Sequence, residues 1–352
     1  MVVFLKIVLF PFSLIYSLVM RLRNFCYDIG VFKSKSFPLP IISIGNLRVG
    51  GTGKTPHTEF LINFLMKSHN PIAVLSRGYG RKTKEYKLAD PGDDAQSIGD
   101  EPFQMFEKFP EVLIAVDEKR TRGIQHLLSL PSPPKLIILD DAYQHRSVKP
   151  GLNILLTEYS NLYINDLPLP SGRLRENKLA AKRADIIVIT KSPVVLSPIE
   201  LRRITETLKP KQYQKVFFSY IKYESLKPLN QAAYNVEESK ELLGNNGVLL
   251  ISAIANPQAI KLYLTRYAKE LEMIQFPDHH FFTEKDYKKI NKRLDDFLSL
   301  KRIIVMTEKD AVKFDTSKFS DLPLFSLPIT IGFHPLVNDS FEKTINEYVR
   351  SY

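Results

Sequence analysis

The chain opens on a mostly apolar stretch, residues 1–20, and then settles into short apolar runs separated by amphipathic and polar stretches. The runs at 41–44, 71–76, 112–116, 136–139, 152–157 and 185–190 are of strand length and end in turn residues, which predicts strands buried on both faces. Helical stretches over 56–67 and 103–109, and one reaching residue 183, fall between them. Strands alternating with helices predict an α/β fold with a doubly wound, mostly parallel sheet. From about residue 215 the pattern changes. The β-rich segments 216–222 and 324–331 flank a strand at 247–254, helices at 257–269 and 284–298, and a strand at 302–307. The expected division is a leading helix (1–30), a core (31–214), linker strands (215–226 and 324–331), a smaller α/β domain (227–323) and a C-terminal segment (332–352).

The first core strand runs into Gly45-Asn46-Leu47-Arg48-Val49-Gly50-Gly51-Thr52-Gly53-Lys54-Thr55-Pro56, and a helical stretch follows. Strand, glycine-rich turn, Lys-Thr and helix are the parts of a phosphate loop. Glycines let backbone N–H groups turn inward on phosphate oxygens, a lysine reaches the β- and γ-phosphates, and a hydroxyl holds Mg²⁺. Lys54 and Thr55 take those roles here, with 48–53 as the cradle. Arg48 stands where the motif's first glycine would be, and is read as an additional cation beside the phosphates. The fold is therefore expected to be of the phosphate-loop NTPase type.

Composition narrows the partners. At 352 residues with 44% apolar and 25% charged residues, the chain has room for two packed domains, and its net charge of +11 favours an anionic partner. A single cysteine, Cys26, excludes an internal disulfide framework. No aromatic-basic motif of known type points to nucleic acid. The apolar N-terminus lacks a small-residue cleavage site, and its basic pair Arg21 and Arg23 comes after the apolar run rather than before it, unlike a secretory signal. Lys6 and Pro11 interrupt the uninterrupted span of about 20 residues that a transmembrane helix wants. Lys6, Ser13, Ser17, Arg21, Asn24 and Asp28 share one helical face, which favours a helix lying in a membrane interface, its basic residues near anionic head groups; a membrane-spanning anchor and a helix buried in the protein's own core are the alternatives.

Further along, charged residues collect at strand ends. Arg77-Gly78-Tyr79-Gly80-Arg81 follows the second strand, where loops of α/β sheets face the ligand crevice. Asp100 and Glu101 open a helix, either as capping residues or as a carboxylate facing the γ-phosphate. Arg120 lies in a charged run after the third strand and is either a surface charge or a cation that neutralises the transferring phosphate. Asp140 and Asp141 end an apolar strand, where a phosphate-loop enzyme carries its metal-side acid. Arg173 and Arg175 lie in a Pro- and Gly-bearing loop. Adjacent His279 and His280 have no third ligand at metal spacing, so they are surface residues or supports for acid–base work. The charged turn 307–313 has no assignable role.

Taken together these segments resemble the tetraacyldisaccharide 4′-kinase (lipid A 4′-kinase) family. The likeness rests on Gly45-Asn46-Leu47, Val49 to Pro56, Ser76-Arg77-Gly78-Tyr79-Gly80, Gly99-Asp100-Glu101-Pro102, Leu139-Asp140-Asp141-Ala142-Tyr143-Gln144-His145, Gly172-Arg173-Leu174-Arg175-Glu176, Asp278-His279-His280 and Thr307-Glu308-Lys309-Asp310-Ala311. The chain departs from the family at Arg48, usually a small residue, and at Ala142-Tyr143, usually Gly-Phe. The resemblance implies ATP- and Mg²⁺-dependent phosphorylation of the 4′-hydroxyl of tetraacyldisaccharide 1-phosphate, on the cytoplasmic face of a Gram-negative inner membrane. It implies that Asp100 is the base and His279 its partner, and that Arg120 stabilises charge. Thr55, Asp140 and Asp141 lie on the metal side, with Glu101 and Gln144 as helpers, and His145, Arg173, Arg175 and Arg77 contact substrate. A lipid precursor and a membrane surface are the expected partners, with no nucleic acid and no obligate protein. The alternative is a membrane-recruited nucleotide switch, which would share the phosphate loop but need neither Asp100 nor His279. Guanine specificity is disfavoured, since Thr190-Lys191-Ser192-Pro193 lacks the aspartate of an Asn-Lys-x-Asp motif.

Overall fold

The computed structural model describes residues 2–236, 241–335 and 339–352. Helix α1 (Val2–Asp28) leads into a core of β1 (Ile41–Asn46), α2 (Lys54–Leu65), β2 (Ile72–Ser76), β3 (Lys87–Leu88), α3 (Ala95–Ile98), α4 (Asp100–Lys108), β4 (Leu113–Val116), α5 (Arg120–Leu128), β5 (Leu136–Leu139), β6 (Leu152–Glu158), β7 (Ile186–Thr190), α6 (Pro198–Leu208) and β8 (Lys215–Tyr223). A second unit follows: β9 (Lys227–Pro228), α7 (Gln231–Tyr234), α8 (Glu241–Asn245), β10 (Gly247–Ser252), α9 (Gln258–Thr265), β11 (Glu270–Gln275), α10 (Glu284–Asp295), β12 (Arg302–Thr307), α11 (Glu308–Ala311) and β13 (Leu324–Leu327). The chain returns through β14 (Ile329–Phe333) and ends in α12 (Phe341–Arg350).

The larger sheet has nine strands in the order β14-β8-β7-β6-β1-β5-β2-β4-β3. All its pairings are parallel except those of the edge strands β3 and β14. Its central strands are apolar in both registers because both faces are covered. Ile42, Ile44, Val74, Ile138 and Ile154 pack on one face with α2 and α12, while Ile41, Ala73, Leu75, Ile137 and Leu139 pack on the other with α5. β1 lies between β5 and β6, so the loops after β1 and β5 open side by side where the strand order reverses, the usual place for a ligand in such sheets. The doubly wound α/β architecture read from the sequence is thus the one observed.

The smaller sheet has five strands, β11-β10-β12-β13-β9. β8 pairs antiparallel with β14 in the larger sheet and β13 pairs antiparallel with β9 in the smaller. The segments expected as linkers are therefore strands of the two sheets, β14 at an edge and β8 and β13 next to one, and the chain crosses between sheets at 224–226 and again at 328. The expected helix ending at residue 183 is a 3₁₀ segment, Lys178–Arg183, and α5 starts at Arg120 inside what reads as a charge run. β11, α6 and α12 have no counterpart in the sequence reading.

Helix α1 seats part of its polar stripe on the protein, while Lys6 and Arg21 of that stripe stay exposed. Ser13, only 2% exposed, accepts the Ser171 N–H (2.9 Å), the Tyr16 hydroxyl donates to the Arg175 carbonyl (2.8 Å), and Asn24 donates to Glu176 (3.1 Å). Arg23, expected near head groups, donates to the Gln144 carbonyl (2.9 Å). The outward face carries Leu5, Ile7, Val8, Phe12, Ile15, Leu18, Val19 and Leu22, all exposed. Polar groups on the docking side meet backbone partners that would otherwise lack them, and the apolar remainder is left without protein cover. By length and composition Leu5–Asp28, with mean hydropathy 1.7, suffices to cross a membrane. The reading of this helix as part of the protein's own core is excluded.

Candidate active site

β1 ends at Asn46 and the chain turns through Gly50 (φ 119°) and Gly53 (φ 87°), both in the left-handed region that favours glycine. The loop is pinned on its outer side. Val49 N–H donates to the Arg173 carbonyl and Arg175 N–H to the Leu47 carbonyl, both at 2.7 Å, so the 166–176 loop runs beside the start of the phosphate loop. Inside, Asn46 Nδ2 donates to Thr52 Oγ1 (2.6 Å), the Thr190 hydroxyl donates to the Thr52 carbonyl (2.9 Å), and Lys191 Nζ donates to the Gly51 carbonyl. Lys54 opens α2 with its Nζ 3.8 Å from Asp141.

Arg48 corrects the sequence reading. Its guanidinium pairs with Asp166 (2.8 Å) and Glu158 (3.3 Å), so two carboxylates neutralise it and it is not a spare cation for phosphate. Its backbone still belongs to the loop.

The two acids after β5 have opposite surroundings. Asp140 is fully buried and accepts from Thr58 (3.1 Å) and Ser76 (3.4 Å); burial, then the carboxylates of Glu101 and Asp141, push its pKa up. Burial also acts upward on Asp141, but Lys54 and Arg175 outweigh it and hold this carboxyl below its ordinary range. Arg175 Nη1 lies 3.1 Å from each Asp141 oxygen. Gly45 lets β1 approach this segment, since a Cβ there would sit 2.8 Å from that of Tyr143. Gln144 spends its amide N–H on the Asn46 carbonyl (2.8 Å). Arg120 lies beneath the site rather than in it. It is fully buried, and its guanidinium donates to the carbonyls of Asp117 and Asp140 (3.2 Å to the latter). The expected direct contact with transferring phosphate gives way to support of the strand end.

Asp100 opens α4 directly after Gly99 and is 5% exposed. Its Oδ2 lies 2.7 Å from His279 Nδ1, which comes from the smaller domain. Burial opposes the charged form of Asp100, but the His279 hydrogen bond, then Lys309, the His279 charge and Lys313, outweigh burial and lower its pKa to about 2. An ionised, hydrogen-bonded carboxylate beside the loop is suited to accept a proton from an aligned hydroxyl.

One cavity of about 440 Å³ brings the phosphate loop, Asp141, Arg175 and His279 together, while Asp100 and Asp140 lie behind its lining. Residues 49–55, Tyr79, Glu101, Asp141, Arg175, Asp278, His279 and Lys309 line it, with Ile254, Ala255, Ile260, Leu327 and Ile329 supplying an apolar wall. His145 lies nearby, its pKa pushed down to about 4 by burial, then by Arg120 and Arg77. Arg77 and Arg173 are exposed. Lys309, Lys313 and the fully buried Glu176 went unassigned in the sequence, although Lys309 and Glu176 lie in quoted motifs and Lys313 in the charged turn 307–313.

The comparisons agree with this geometry. The family model described as tetraacyldisaccharide-1-P 4′-kinase matches residues 5–350. A protein named tetraacyldisaccharide 4′-kinase from Flavobacterium psychrophilum is 44% identical over 352 residues, covering 99% of this chain and 98% of its own. One of the same name from Parabacteroides distasonis is 43% identical, covering 96% and 93%. A crystal structure described as an "apo" form of LpxK from Aquifex aeolicus in complex with ATP superposes with a TM-score of 0.72 at 27% identity, covering 99% of each chain. The chain belongs to the tetraacyldisaccharide 4′-kinase family.

Proposed function

We propose that the chain transfers the γ-phosphate of ATP to the 4′-hydroxyl of tetraacyldisaccharide 1-phosphate in lipid A synthesis. The observation that carries this reading is the Asp100–His279 pair, contributed by two domains, with His279 lining the same cavity as the phosphate loop. A nucleotide switch has no use for such a pair.

Lys54 and the 49–53 backbone bind the phosphates. The 4′-oxygen bonds to the γ-phosphorus as the bond to the β,γ-bridging oxygen breaks; ADP leaves and the hydroxyl proton passes to Asp100. A loose transition state asks mainly for alignment, so a low-pKa carboxylate suffices as acceptor. His279 orients it. Arg175 and the basic loop at Arg77 are placed to meet the acceptor's anionic groups.

The donors beside the loop are oxygens: the Thr55 hydroxyl and the carboxylates of Asp140, Asp141 and Glu101. Among the described residues no group of three or more His, Cys, Asp or Glu is assembled to hold a metal. That fits Mg²⁺, which takes one or two carboxylates and completes its shell with phosphate oxygens and water. When bound, it neutralises charge on the β- and γ-phosphates. Gln144, with its amide engaged, would support the site from behind.

The uncovered apolar face of α1 supports placing this helix in a membrane surface, with the acyl chains of the substrate in the same bilayer. We infer that this surface is the cytoplasmic side of the inner membrane of a Gram-negative bacterium, where the family resemblance implies the substrate is phosphorylated. The five-part division, with a phosphate-loop core and a smaller domain closing over it, follows from the same reading.

The test is an assay with γ-labelled ATP and the disaccharide 1-phosphate in detergent micelles. Label is expected in the lipid. Label found as free phosphate alone would replace this reading with the nucleotide switch.

A further inference from the structure

The turn after β12 holds charge that the mechanism above does not use. The Thr307 hydroxyl caps α11, bonding Asp310 N–H (3.1 Å) and Asp310 Oδ2 (2.7 Å). From that fixed turn, charged side chains reach α4 of the other domain. Glu308 meets Lys108 at 2.9 Å, and Lys108 also holds Glu59 of α2 at 2.7 Å. Lys309 Nζ lies 3.7 Å from Asp100, 3.5 Å from Glu101, 3.6 Å from Asp278 and 3.3 Å from His279 Nε2. The Lys313 side chain is 0% exposed, its Nζ has no hydrogen-bond partner among the described residues, and it lies 3.5 Å from Asp100.

Two physical points follow. An ionised carboxylate only accepts, so Asp100 itself requires a proton on His279 Nδ1, while Nε2 faces both Lys309 (3.3 Å) and the Asp278 carboxylate (3.8 Å). A buried ammonium is costly unless an opposite charge lies close. For Lys313 the nearest carboxylate is Asp100, across the cleft, while its own unit supplies only the more distant Asp310 charge and the Phe281 ring at 5.8 Å, so opening the cleft would remove its closest counter-charge.

We propose that Lys309 and Lys313 are positioning residues for the phosphoryl transfer: both lysines clasp Asp100 from across the cleft, so that the base is oriented only with the domains closed. The inference rests on the assignment of Asp100 as base. Glu308 with Lys108 forms the outer half of the same clasp.

The experiment uses the full chain with ATP and the disaccharide 1-phosphate in micelles. Lys309→Met is expected to lower kcat about 10- to 100-fold while changing the KM for ATP less than about two-fold, as lost alignment does. Lys309→Arg, which keeps a donor, should recover most of the loss. In an Asp100→Asn background, Lys309→Met should cost nothing further, because its partner is already gone. Lys313→Met takes a cation from the buried Asp100 carboxylate, so it should lower Tm and kcat together. A loss seen as raised KM for ATP, multiplicative losses with Asp100→Asn, or a lower Tm with kcat intact would each overturn the proposal. Full activity of Asp100→Asn alone would instead remove the base assignment, and the clasp with it, while leaving the lipid-kinase activity in place.

Discussion

The Tyr16 hydroxyl donates to the Arg175 carbonyl at 2.8 Å, while the Arg175 guanidinium holds Asp141 at 3.1 Å. One residue thus connects the apolar helix to the acids beside the phosphate loop. Tyr16→Phe removes a hydrogen bond worth about 1 kcal/mol. It should raise the KM for micellar acceptor several-fold and leave ATP binding unaltered; a change in ATP binding alone would contradict the coupling.

Deleting residues 1–25 goes further. It removes the uncovered apolar face together with Ser13, Tyr16 and Asn24, the groups that seat the helix on the 171–176 loop. The truncated chain should leave the membrane fraction and lose action on micellar substrate far more than ATP binding. An unchanged membrane fraction would count against a membrane role for this helix.

Asp100 and His279 act as one unit if the interdomain pair is the reaction centre. Asp100→Ala and His279→Ala, assayed singly and together, should show strongly non-additive losses, with the double variant little worse than Asp100→Ala. Fully additive losses would mean that the two residues work independently.

Arg48 is spent on Asp166 and Glu158. Arg48→Met should therefore lower stability by about 1–3 kcal/mol, through carboxylates left unpaired, and alter the KM for ATP less than about three-fold. Lys54→Met should abolish turnover. Equal effects of both on ATP binding would return Arg48 to the phosphates.

His57 gives a pH dependence. It is buried in α2, bonded through Nδ1 to the Gly53 carbonyl (2.6 Å) and through Nε2 to the Ser219 hydroxyl (2.9 Å). Burial pushes its pKa from 6.5 down to about 4. A folded-state pKa below the unfolded one gives stability that is full above pH 6.5 and is lost as pH falls toward 4. The amount is up to about 3 kcal/mol. Denaturant unfolding at pH 7.5 and 4.5 should show the advantage of wild type over His57→Gln shrinking at the lower pH. A pH-independent difference would contradict it. Subtracting the variant isolates His57 from His145, which is depressed in the same direction.

The parallel core was legible because strands covered on both faces are continuous apolar runs, as at Leu136–Leu139. The phosphate loop was legible because glycine, lysine and threonine occupy positions that backbone and phosphate geometry dictate. Edge elements were not. β11 (Glu270–Gln275) mixes polar and apolar residues, since as the edge strand of its sheet it is largely uncovered. That Arg23 meets the Gln144 carbonyl rather than head groups was not legible, because a polar stripe on a helix looks the same facing water or facing the backbone of another loop. Which way Arg48 and Arg120 point depends on Asp166, Asp117 and Asp140, residues remote in sequence or hidden under the sheet. The meeting of Lys309 and Lys313 with Asp100 needs two domains brought together, and no local spacing records that.

The most direct measurement is ³¹P NMR of the lipid product after turnover with ATP. A new phosphomonoester resonance assigned to the 4′-position, with the 1-phosphate unchanged, is expected from wild type and absent with Asp100→Ala. A resonance from a modified 1-phosphate, or inorganic phosphate with the lipid unaltered, would contradict transfer to the 4′-hydroxyl.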